Sequence, residues 1–486
     1  MREPGRPSRR FLGVLLLIVL VALGIRVAYV WNVTRHDPPL GDQYYYSALA
    51  NTLAEGRGFA EPDVKDRTVP SADHPPLTSI VAAPVSWIVG TGGDAATAHR
   101  RLTGQRLVMA GVGAVTVAAI GMAARRLGRT PEGAERLGWI AAGIAAVHPG
   151  LWINDGLVMS ESVGALTIAL VVWASYTCLT QPTAWRMAAL GAAAGLAGLA
   201  RAEALLLVPL LVVPVAFTQR GDPDRRPVYP RIRWLSAAAV GCLLVLGPWV
   251  GANLLRFNRP MLMSTNDGLT LLGTNCDAAY RGSSQGLWSL QCIAAVDTDG
   301  DGVDDWTELE DGTPMLRSDQ DESDQSAMYR SAALRYARDH LDELPKVMAH
   351  RVGRVWGVVD LRQQTDFYNE GEGRHRAVSR AAAVGFFAVA ALGIVGMVLL
   401  RLRRQPVWPI LAHLVATTIT AALFYGLLRF RIGAEVALVV AAAVPLEALW
   451  TRLRRRRERR AGTPERLEDA GAPASDEAVA ASGATA

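Results

Sequence analysis

The chain alternates long apolar runs with short polar segments rich in arginine, and this pattern predicts membrane-spanning helices. A helix needs about 20 predominantly apolar residues to cross the hydrocarbon core of a bilayer. The run 187–217 is too long for one span and is interrupted by Arg201 and Glu203, so we predict a hairpin of two helices there. The apolar runs are 11–31, 105–124, 137–152, 157–178, 187–217, 234–253, 381–402, 407–428 and 432–450. The first run is long for a signal-peptide core and has no clear small-x-small cleavage site, so we expect a retained helix.

The basic residues orient these helices, because lysine and arginine are enriched in the cytoplasmic loops of membrane proteins. Ten spans with both chain ends in the cytoplasm place every basic cluster on that side, whereas an odd number would leave one cluster outside. The clusters lie within 2–10, 125–129, 220–233, 401–404 and 452–460. Since the membrane explains the arginines beside helix ends, we expect no nucleic-acid partner.

The predicted fold is therefore an all-α polytopic membrane protein with about ten transmembrane helices and polar loops at the outer face. Residues 74–90 are apolar but short and proline-containing, which predicts a helix lying in the outer interface. The end of the chain, 461–486, has almost no large apolar residues and is predicted to be disordered. The predicted segments are a cytoplasmic N-terminus (1–10), a first helix (11–31), a first outer loop (32–104), helices two to seven (105–253), a large outer subdomain (254–380), helices eight to ten (381–450) and a cytoplasmic tail (451–486).

The first outer loop contains the first candidate for chemistry. Asp42 lies just beyond the end of the first predicted helix and is followed by three tyrosines. A carboxylate held at the membrane surface among aromatic side chains suits a general base. The alternative is an ordinary solvated loop whose tyrosines anchor it in the interface.

Several short motifs give the chain a resemblance to a known superfamily. The first loop carries G-D-Q-Y-Y-Y at 41–46, E-G-R-G-F at 55–59 and D-H-P-P-L at 73–77. Further pieces are N-D-G-L-V-M-S-E at 154–161, L-A-R-A-E at 199–203, G-P-W at 247–249 followed by Asn253, and R-F-R at 429–431 followed by Glu435. Their order and predicted sidedness resemble the GT-C integral membrane glycosyltransferases, in style most like the protein O-mannosyltransferases and aminoarabinose transferases. Gln43 departs from the pattern, because these families often have a second acid there.

The resemblance implies a sugar donor on a polyprenyl phosphate, an inverting transfer at the outer face and no organic cofactor. Asp42 would be the catalytic base, and arginines would bind the departing phosphate, whose oxygens match the guanidinium fork. Further candidate substrate-binding residues are Tyr45, His74, Asp155, Glu161, Arg201, Glu203, Arg429 and Arg431. Alternatively, the arginines are snorkelling interface residues, and Arg201 and Glu203 neutralise each other. The predicted topology brings four distant charged residues to one outer level: Asp42, Glu161, Arg201 and Arg431.

The large outer subdomain contains two predicted structural devices. Cys276 and Cys292 are a disulfide candidate, because the outer compartment is oxidising. The segment 297–308 matches the template of a calcium-binding loop, with a glycine at its sixth position. Its predicted ligands are Asp297, Asp299, Asp301, Val303, Asp305 and Glu308. The expected role of Ca²⁺ is structural. The alternative is an acidic loop that binds no metal ion. Residues 328–355 predict an amphipathic helix that could cover the site.

The preferred function is a membrane glycosyltransferase that uses a polyprenyl-phosphate sugar, in cell-envelope glycan synthesis or protein glycosylation. The sugar remains open between a hexose such as mannose and a pentose such as arabinose, and the acceptor between protein, glycolipid and polysaccharide. One alternative is a transporter or lipid flippase, which should show polar residues at mid-span and related halves. The other is a non-catalytic envelope assembly protein with the same fold.

Overall fold

A computed structural model describes residues 5–64, 68–218, 229–293 and 320–461 of the 486-residue chain. Within these ranges the protein is helical, and its β-structure is one isolated bridge between Ala60 and Pro70. In chain order the α-helices are α1 (Arg9–Tyr29), α2 (Asp42–Ala54), α3 (Leu77–Val89), α4 (Ala95–Arg125), α5 (Pro131–Val147), α6 (Pro149–Trp152), α7 (Ser160–Thr180), α8 (Ala184–Ala200), α9 (Val213–Thr218), α10 (Tyr229–Arg256), α11 (Asn266–Leu272), α12 (Asp277–Tyr280), α13 (Glu322–Asp339), α14 (Leu344–Val355), α15 (Leu361–Glu372), α16 (Arg376–Leu402), α17 (Trp408–Leu423) and α18 (Ile432–Ala461).

Several of these helices are long and apolar enough to cross a bilayer, and the predicted membrane-embedded helical fold is confirmed. Among the described residues, six segments satisfy both criteria of length and composition. They are Arg9–Thr34, Ala95–Arg125, Ser160–Thr180, Arg231–Arg256, Arg376–Leu402 and Leu428–Glu458. The other predicted runs also form helices, but shorter ones, so the count of ten membrane crossings stays a prediction.

The long run 187–217 is divided at Arg201, where the sequence predicts a hairpin. Helix α8 ends at Ala200, and Arg201 has an extended backbone with φ −151° and ψ 115°. A 3₁₀ turn, Ala202–Leu206, then starts the returning segment. The break coincides with the two charges, because burying Arg201 and Glu203 inside a continuous apolar helix would cost free energy.

Small residues allow neighbouring helices to approach closely, as is usual in membrane bundles. A Cβ atom placed on Gly191 of α8 would lie 1.9 Å from the Ala238 carbonyl oxygen, and one on Gly241 of α10 would lie 2.0 Å from that of Ala188. Helix α18 is largely buried among its neighbours, whereas most of the leucines of α1 are exposed. The bundle therefore has a protein-covered centre and an apolar outer surface.

Helix α3 corresponds to the predicted interfacial segment. It contains Pro84 and buries a face that includes Ser79, Ala82 and Ser86. The opposite side exposes Trp87 and Ile88, each with 76% of its surface accessible. This distribution suits a helix that rests on the bundle with one side and contacts lipid with the other.

The described part of the outer subdomain packs beside the first outer loop. The predicted disulfide between Cys276 and Cys292 is present, with Cα atoms 5.3 Å apart. The predicted continuous helix over 328–355 is wrong, because the structure has α13 and α14 with a break after Asp339. His340 leaves the helical conformation there, and Pro345 occupies the first turn of α14. The predicted calcium loop, 297–308, lies outside the described residues.

Candidate active site

Helix α2 positions Asp42 at the end of the bundle that the sequence predicts to be the outer one. Gly41 precedes the helix with φ +55°, a conformation that favours glycine, and its ideal Cβ position lies 3.7 Å from the Gly371 carbonyl oxygen. Asp42 is the first residue of α2, where the free N–H groups of the helix favour a negative charge. The local sequence therefore places the carboxylate at the start of α2 and favours its ionised form.

Asp42 contacts two groups that carry or can carry positive charge. Its Oδ2 accepts a hydrogen bond from Arg429 Nη1 at 2.7 Å, and its Oδ1 lies 3.6 Å from His74 Nε2. Burial raises the pKa of Asp42, but the charges of Arg429 and His74 outweigh burial and hold this pKa well below its ordinary value. Asp42 is therefore ionised at neutral pH, and with 30% of its side chain exposed it remains reachable from outside.

His74 is held by aromatic rings and carboxylates. Its ring stacks on Tyr46 at a centroid distance of 5.0 Å and meets Tyr45 edge-on at 5.2 Å. Its Nε2 also lies 3.4 Å from Asp73 Oδ2. Burial lowers the pKa of His74, but the negative charges of Asp73 and Asp42 raise it by more than burial lowers it. The net shift of this pKa is therefore upward. The imidazole therefore holds its proton to higher pH and adds to the positive charge beside Asp42.

Glu161 lies at the centre of the site and is fully buried. It belongs to the first turn of α7, another position that favours an anion. One of its oxygens, Oε1, lies 2.9 Å from Arg201 Nη1 and 3.9 Å from Arg429 Nε. The other, Oε2, lies 3.8 Å from Arg374 Nη2. One carboxylate therefore links three arginines that come from distant parts of the chain.

Arg201 is fixed by the hairpin break that carries it. Its Nε donates to Glu203 Oε1 at 2.6 Å, and its Nη1 donates to Ser160 Oγ at 3.0 Å. The guanidinium also lies over the Phe430 ring, 5.3 Å from the centroid. Arg201 and Glu203 form an ion pair, as one interpretation of the sequence predicted. Arg201 also forms an ion pair with Glu161.

Two residues that the sequence analysis did not select complete the site. Glu372 Oε1 lies 3.1 Å from Arg429 Nη1, and Glu372 Oε2 forms an ion pair with Arg374 Nη1. Arg374 Nε donates to Asn154 Oδ1 at 3.1 Å, and Gln43 Nε2 donates to the Glu372 carbonyl oxygen at 2.9 Å. Both residues lie at the end of a long polar segment, where charged residues are common, so the sequence gives no signal that distinguishes them.

Two predicted site residues belong to other buried ion pairs. Asp155 Oδ2 accepts from Arg26 Nε at 2.6 Å, in the first helix of the bundle. Arg431 Nε donates to Glu435 Oε1 at 2.5 Å, and Glu435 Oε2 lies 2.9 Å from His148 Nε2. The structure thus brings Asp42, Glu161 and Arg201 together, while Arg431 forms its ion pair with Glu435.

A cleft with a cavity volume of about 40 Å³ begins at Arg201 and Glu203 and continues between α7, α8, α17 and α18. Its lining is dominated by small and apolar residues, among them Gly164, Ala197 and Ala416. The charged site therefore has an apolar cleft beside it. Within the described residues, no three His, Cys, Asp or Glu side chains are grouped so as to hold a metal ion.

Comparison with known proteins identifies the fold. No protein-family model matches the chain, and no curated protein matches it in sequence. The oligosaccharyltransferase of Archaeoglobus fulgidus, solved with a tethered acceptor peptide, superposes with a TM-score of 0.52 at 15% identity, over 93% of this chain and 51% of that one. ArnT from Cupriavidus metallidurans, bound to undecaprenyl phosphate, gives a TM-score of 0.39 at 16% identity, over 89% and 77%. The chain spans about half the length of the oligosaccharyltransferase, and the predicted GT-C resemblance is confirmed as a likeness of fold.

Proposed function

We propose that this chain, which has the fold of the GT-C glycosyltransferases, transfers a sugar from a polyprenyl-phosphate donor to an acceptor hydroxyl at the outer membrane surface. One observation carries the proposal: a partly exposed, ionised carboxylate, Asp42, lies beside a group of arginines at the mouth of an apolar cleft. A base and a cationic phosphate site next to an apolar cleft are the parts that this reaction needs.

The proposed reaction is a single displacement. The acceptor oxygen attacks the anomeric carbon, its proton passes to Asp42, and the bond between that carbon and the phosphate oxygen breaks. The donor is a phosphate diester, and the lipid phosphate monoester that leaves is a stable anion, so it needs cations rather than a proton donor. Arg201, Arg374 and Arg429 are the groups that we assign to this anion, because guanidinium forks donate two hydrogen bonds to phosphate oxygens.

The remaining candidates position the reactants. Tyr45 and Tyr46 hold His74, which raises the positive charge beside Asp42. Glu161 orients the arginines, and the cleft below Arg201 holds the first part of the prenyl chain. The topology predicted from the basic clusters puts this end of the bundle on the outer side. The acceptor therefore approaches from the outer solution and the donor from the bilayer.

The replacement Asp42→Asn tests the proposal. Membranes that contain the wild-type chain are incubated with labelled polyprenyl-phosphate sugars, one sugar at a time, and transferred label is measured. Since a general base contributes about 10²–10⁴-fold in rate, the variant should lose transfer by that factor. Asp277→Asn is the control, because Asp277 is an exposed acid of the disulfide loop and should leave transfer at the wild-type rate.

Two outcomes would contradict the proposal in different ways. Wild-type transfer by Asp42→Asn would remove Asp42 as the base while leaving the glycosyltransferase assignment in place. A wild-type chain that transfers none of the labelled sugars would instead favour a transporter or an assembly protein.

A further inference from the structure

The three arginines that we assign to the donor phosphate already bind carboxylates. We call Arg201, Arg374 and Arg429 the arginine cluster. Their carboxylate partners include Asp42, Glu161, Glu203 and Glu372. A phosphate that enters this cluster adds negative charge to a group in which four carboxylates already face three arginines. Binding of the phosphate therefore requires that one carboxylate move out of the arginine cluster.

Three of the four carboxylates are held firmly where they are. Asp42 and Glu161 each lie in the first turn of a helix, where free N–H groups favour an anion. Glu203 follows Arg201 by two residues and binds its Nε at 2.6 Å, so the two move together. None of these three bridges two arginines through both of its oxygens at close range.

Glu372 differs from the others in position and in geometry. It is the last residue of α15, and a negative charge at the C-terminal end of a helix is unfavourable. Its neighbours are Gly371 and Gly373, the latter with φ +68°, so no adjacent side chain blocks rotation of its own side chain. Gln43 meanwhile holds its carbonyl oxygen, which keeps the backbone in place.

The two oxygens of Glu372 are placed as two oxygens of a phosphate would be. Oε1 lies 3.1 Å from Arg429 Nη1, and Oε2 pairs with Arg374 Nη1. Only 11% of the side chain is exposed, so the carboxylate fills the space between the two guanidinium groups. Without an anion there, two buried cations would face each other in a site of low dielectric constant.

We infer that Glu372 is a placeholder anion that occupies the donor-phosphate site between Arg374 and Arg429 and swings out when the lipid phosphate binds. The inference rests on the proposed function, since it assigns the phosphate to these arginines. The carboxylate keeps the empty site folded and neutral, and it competes with the donor and with the lipid phosphate product. Its return between the arginines favours release of the product after transfer.

The test compares Glu372→Gln with the wild-type chain in lipid nanodiscs. Equilibrium binding of undecaprenyl phosphate is measured, with undecaprenol as the ligand that has the chain but no phosphate. Removing the competing charge should tighten binding of undecaprenyl phosphate about 3- to 10-fold and leave undecaprenol unchanged. Asp366→Asn is the matched control, because Asp366 is an acid on the same helix that pairs with Arg376 outside the arginine cluster.

A second measurement uses the unaltered chain and so does not depend on the folding of a variant. Undecaprenyl phosphate, but not undecaprenol, should increase carbodiimide labelling of the Glu372 carboxyl group, because the side chain leaves the buried position between the two arginines. Equal or weaker binding by a folded Glu372→Gln variant overturns the inference, as does unchanged labelling of Glu372. If the wild-type chain binds undecaprenyl phosphate no better than undecaprenol, the proposed function fails and the inference fails with it.

Discussion

Glu322 connects the outer subdomain to the loop that carries His74. Its Oε2 accepts hydrogen bonds from the Ala72 N–H at 2.9 Å and from Thr265 Oγ1 at 2.7 Å. Burial raises the pKa of Glu322 to about 7, and the nearby charge of Asp73 adds to the rise. The folded chain therefore keeps a proton on this carboxyl over a pH range in which the unfolded chain releases it.

This difference predicts how stability depends on pH. Between the ordinary glutamate pKa of 4.5 and about 7, the folded state binds more protons at Glu322 than the unfolded state, so the free energy of unfolding falls as pH rises. Glu322→Gln should flatten the decrease in thermal unfolding temperature between pH 5 and pH 8. Asp339→Asn, on the exposed end of the same helix, should keep the wild-type slope. Parallel curves for Glu322→Gln and the wild type would contradict this prediction.

The sequence revealed the site residues in two ways. Arg201 stands out because a charge inside an apolar run is costly, whereas Asp42 and Arg429 stand out through the motifs that contain them, G-D-Q-Y-Y-Y and R-F-R. Glu372 and Arg374 lie at the end of a long polar segment, where charges are ordinary and give no contrast. The sequence predicts the depth of a residue in the membrane better than the side of the helix on which it lies. The pairing of Arg431 with Glu435 therefore could not be read from the sequence.

At the scale of elements, the contact between α8 and α10 depends on glycine. Gly191 meets the backbone of Ala238, and Gly241 meets the backbone of Ala188, so each helix presents a glycine to the other. The obstructing atoms are backbone carbonyl oxygens, which cannot move aside as a flexible side chain can. Close approach of these helices matters for the site, because α8 ends at Arg201.

The replacement Gly241→Ala should separate α8 from α10. The added methyl group would lie 2.0 Å from the Ala188 oxygen, and overpacking of this kind costs about 1–3 kcal/mol. The free energy of unfolding in a denaturing-detergent titration measures the effect. Gly251→Ala on the same helix is the control, because no atom lies within 4 Å of its added Cβ. A loss of stability in both variants to the same extent would show that helix propensity or the detergent, not packing, decides the result.

Only the spacing of its residues supports the predicted calcium loop, since 297–308 lies outside the described residues. We propose that Ca²⁺ binds there and stabilises the outer subdomain. A calcium chelator should then lower the thermal unfolding temperature, by about 2–4 °C for each kcal/mol of lost stability. The variant with Asp297→Asn and Asp301→Asn should start at the lower temperature and no longer respond. An unaltered unfolding temperature of the wild type under chelation would defeat the proposal.

Helix positions were predictable because apolar runs and helices coincide in a membrane bundle. The break after Asp339 was missed, because the helical periodicity of 328–355 continues through it and outweighed the local signal of Pro345. The short outer helices α11 and α12 were also missed, because segments of 7 and 4 residues have too few positions to show a period. Local pattern thus predicts the membrane part of the fold better than the outer subdomain.

At the scale of the whole molecule, the charge distribution gives the bundle two different ends. The candidate site and the Cys276–Cys292 disulfide belong to segments predicted outside, whereas the basic end of α18 is predicted inside. A disulfide is stable in an oxidising compartment, which independently favours an outer location for its loop. Both arguments concern the side of the membrane on which the outer subdomain lies, so one labelling experiment tests them together.

Single cysteines at the two ends should react from opposite sides of the membrane. The background is a chain with Cys178→Ala and Cys242→Ala, whose remaining cysteines form the disulfide. Arg335→Cys, on the exposed face of α13, should react with a membrane-impermeant maleimide in intact cells, because the subdomain is predicted to lie outside. Arg455→Cys, on the exposed basic end of α18, should react only after the membrane is permeabilised. The reverse pattern would invert the topology and move Asp42 to the cytoplasmic side. Labelling of both sites in intact cells would place both chain segments outside. It would then exclude an even number of spans between either segment and a cytoplasmic N-terminus.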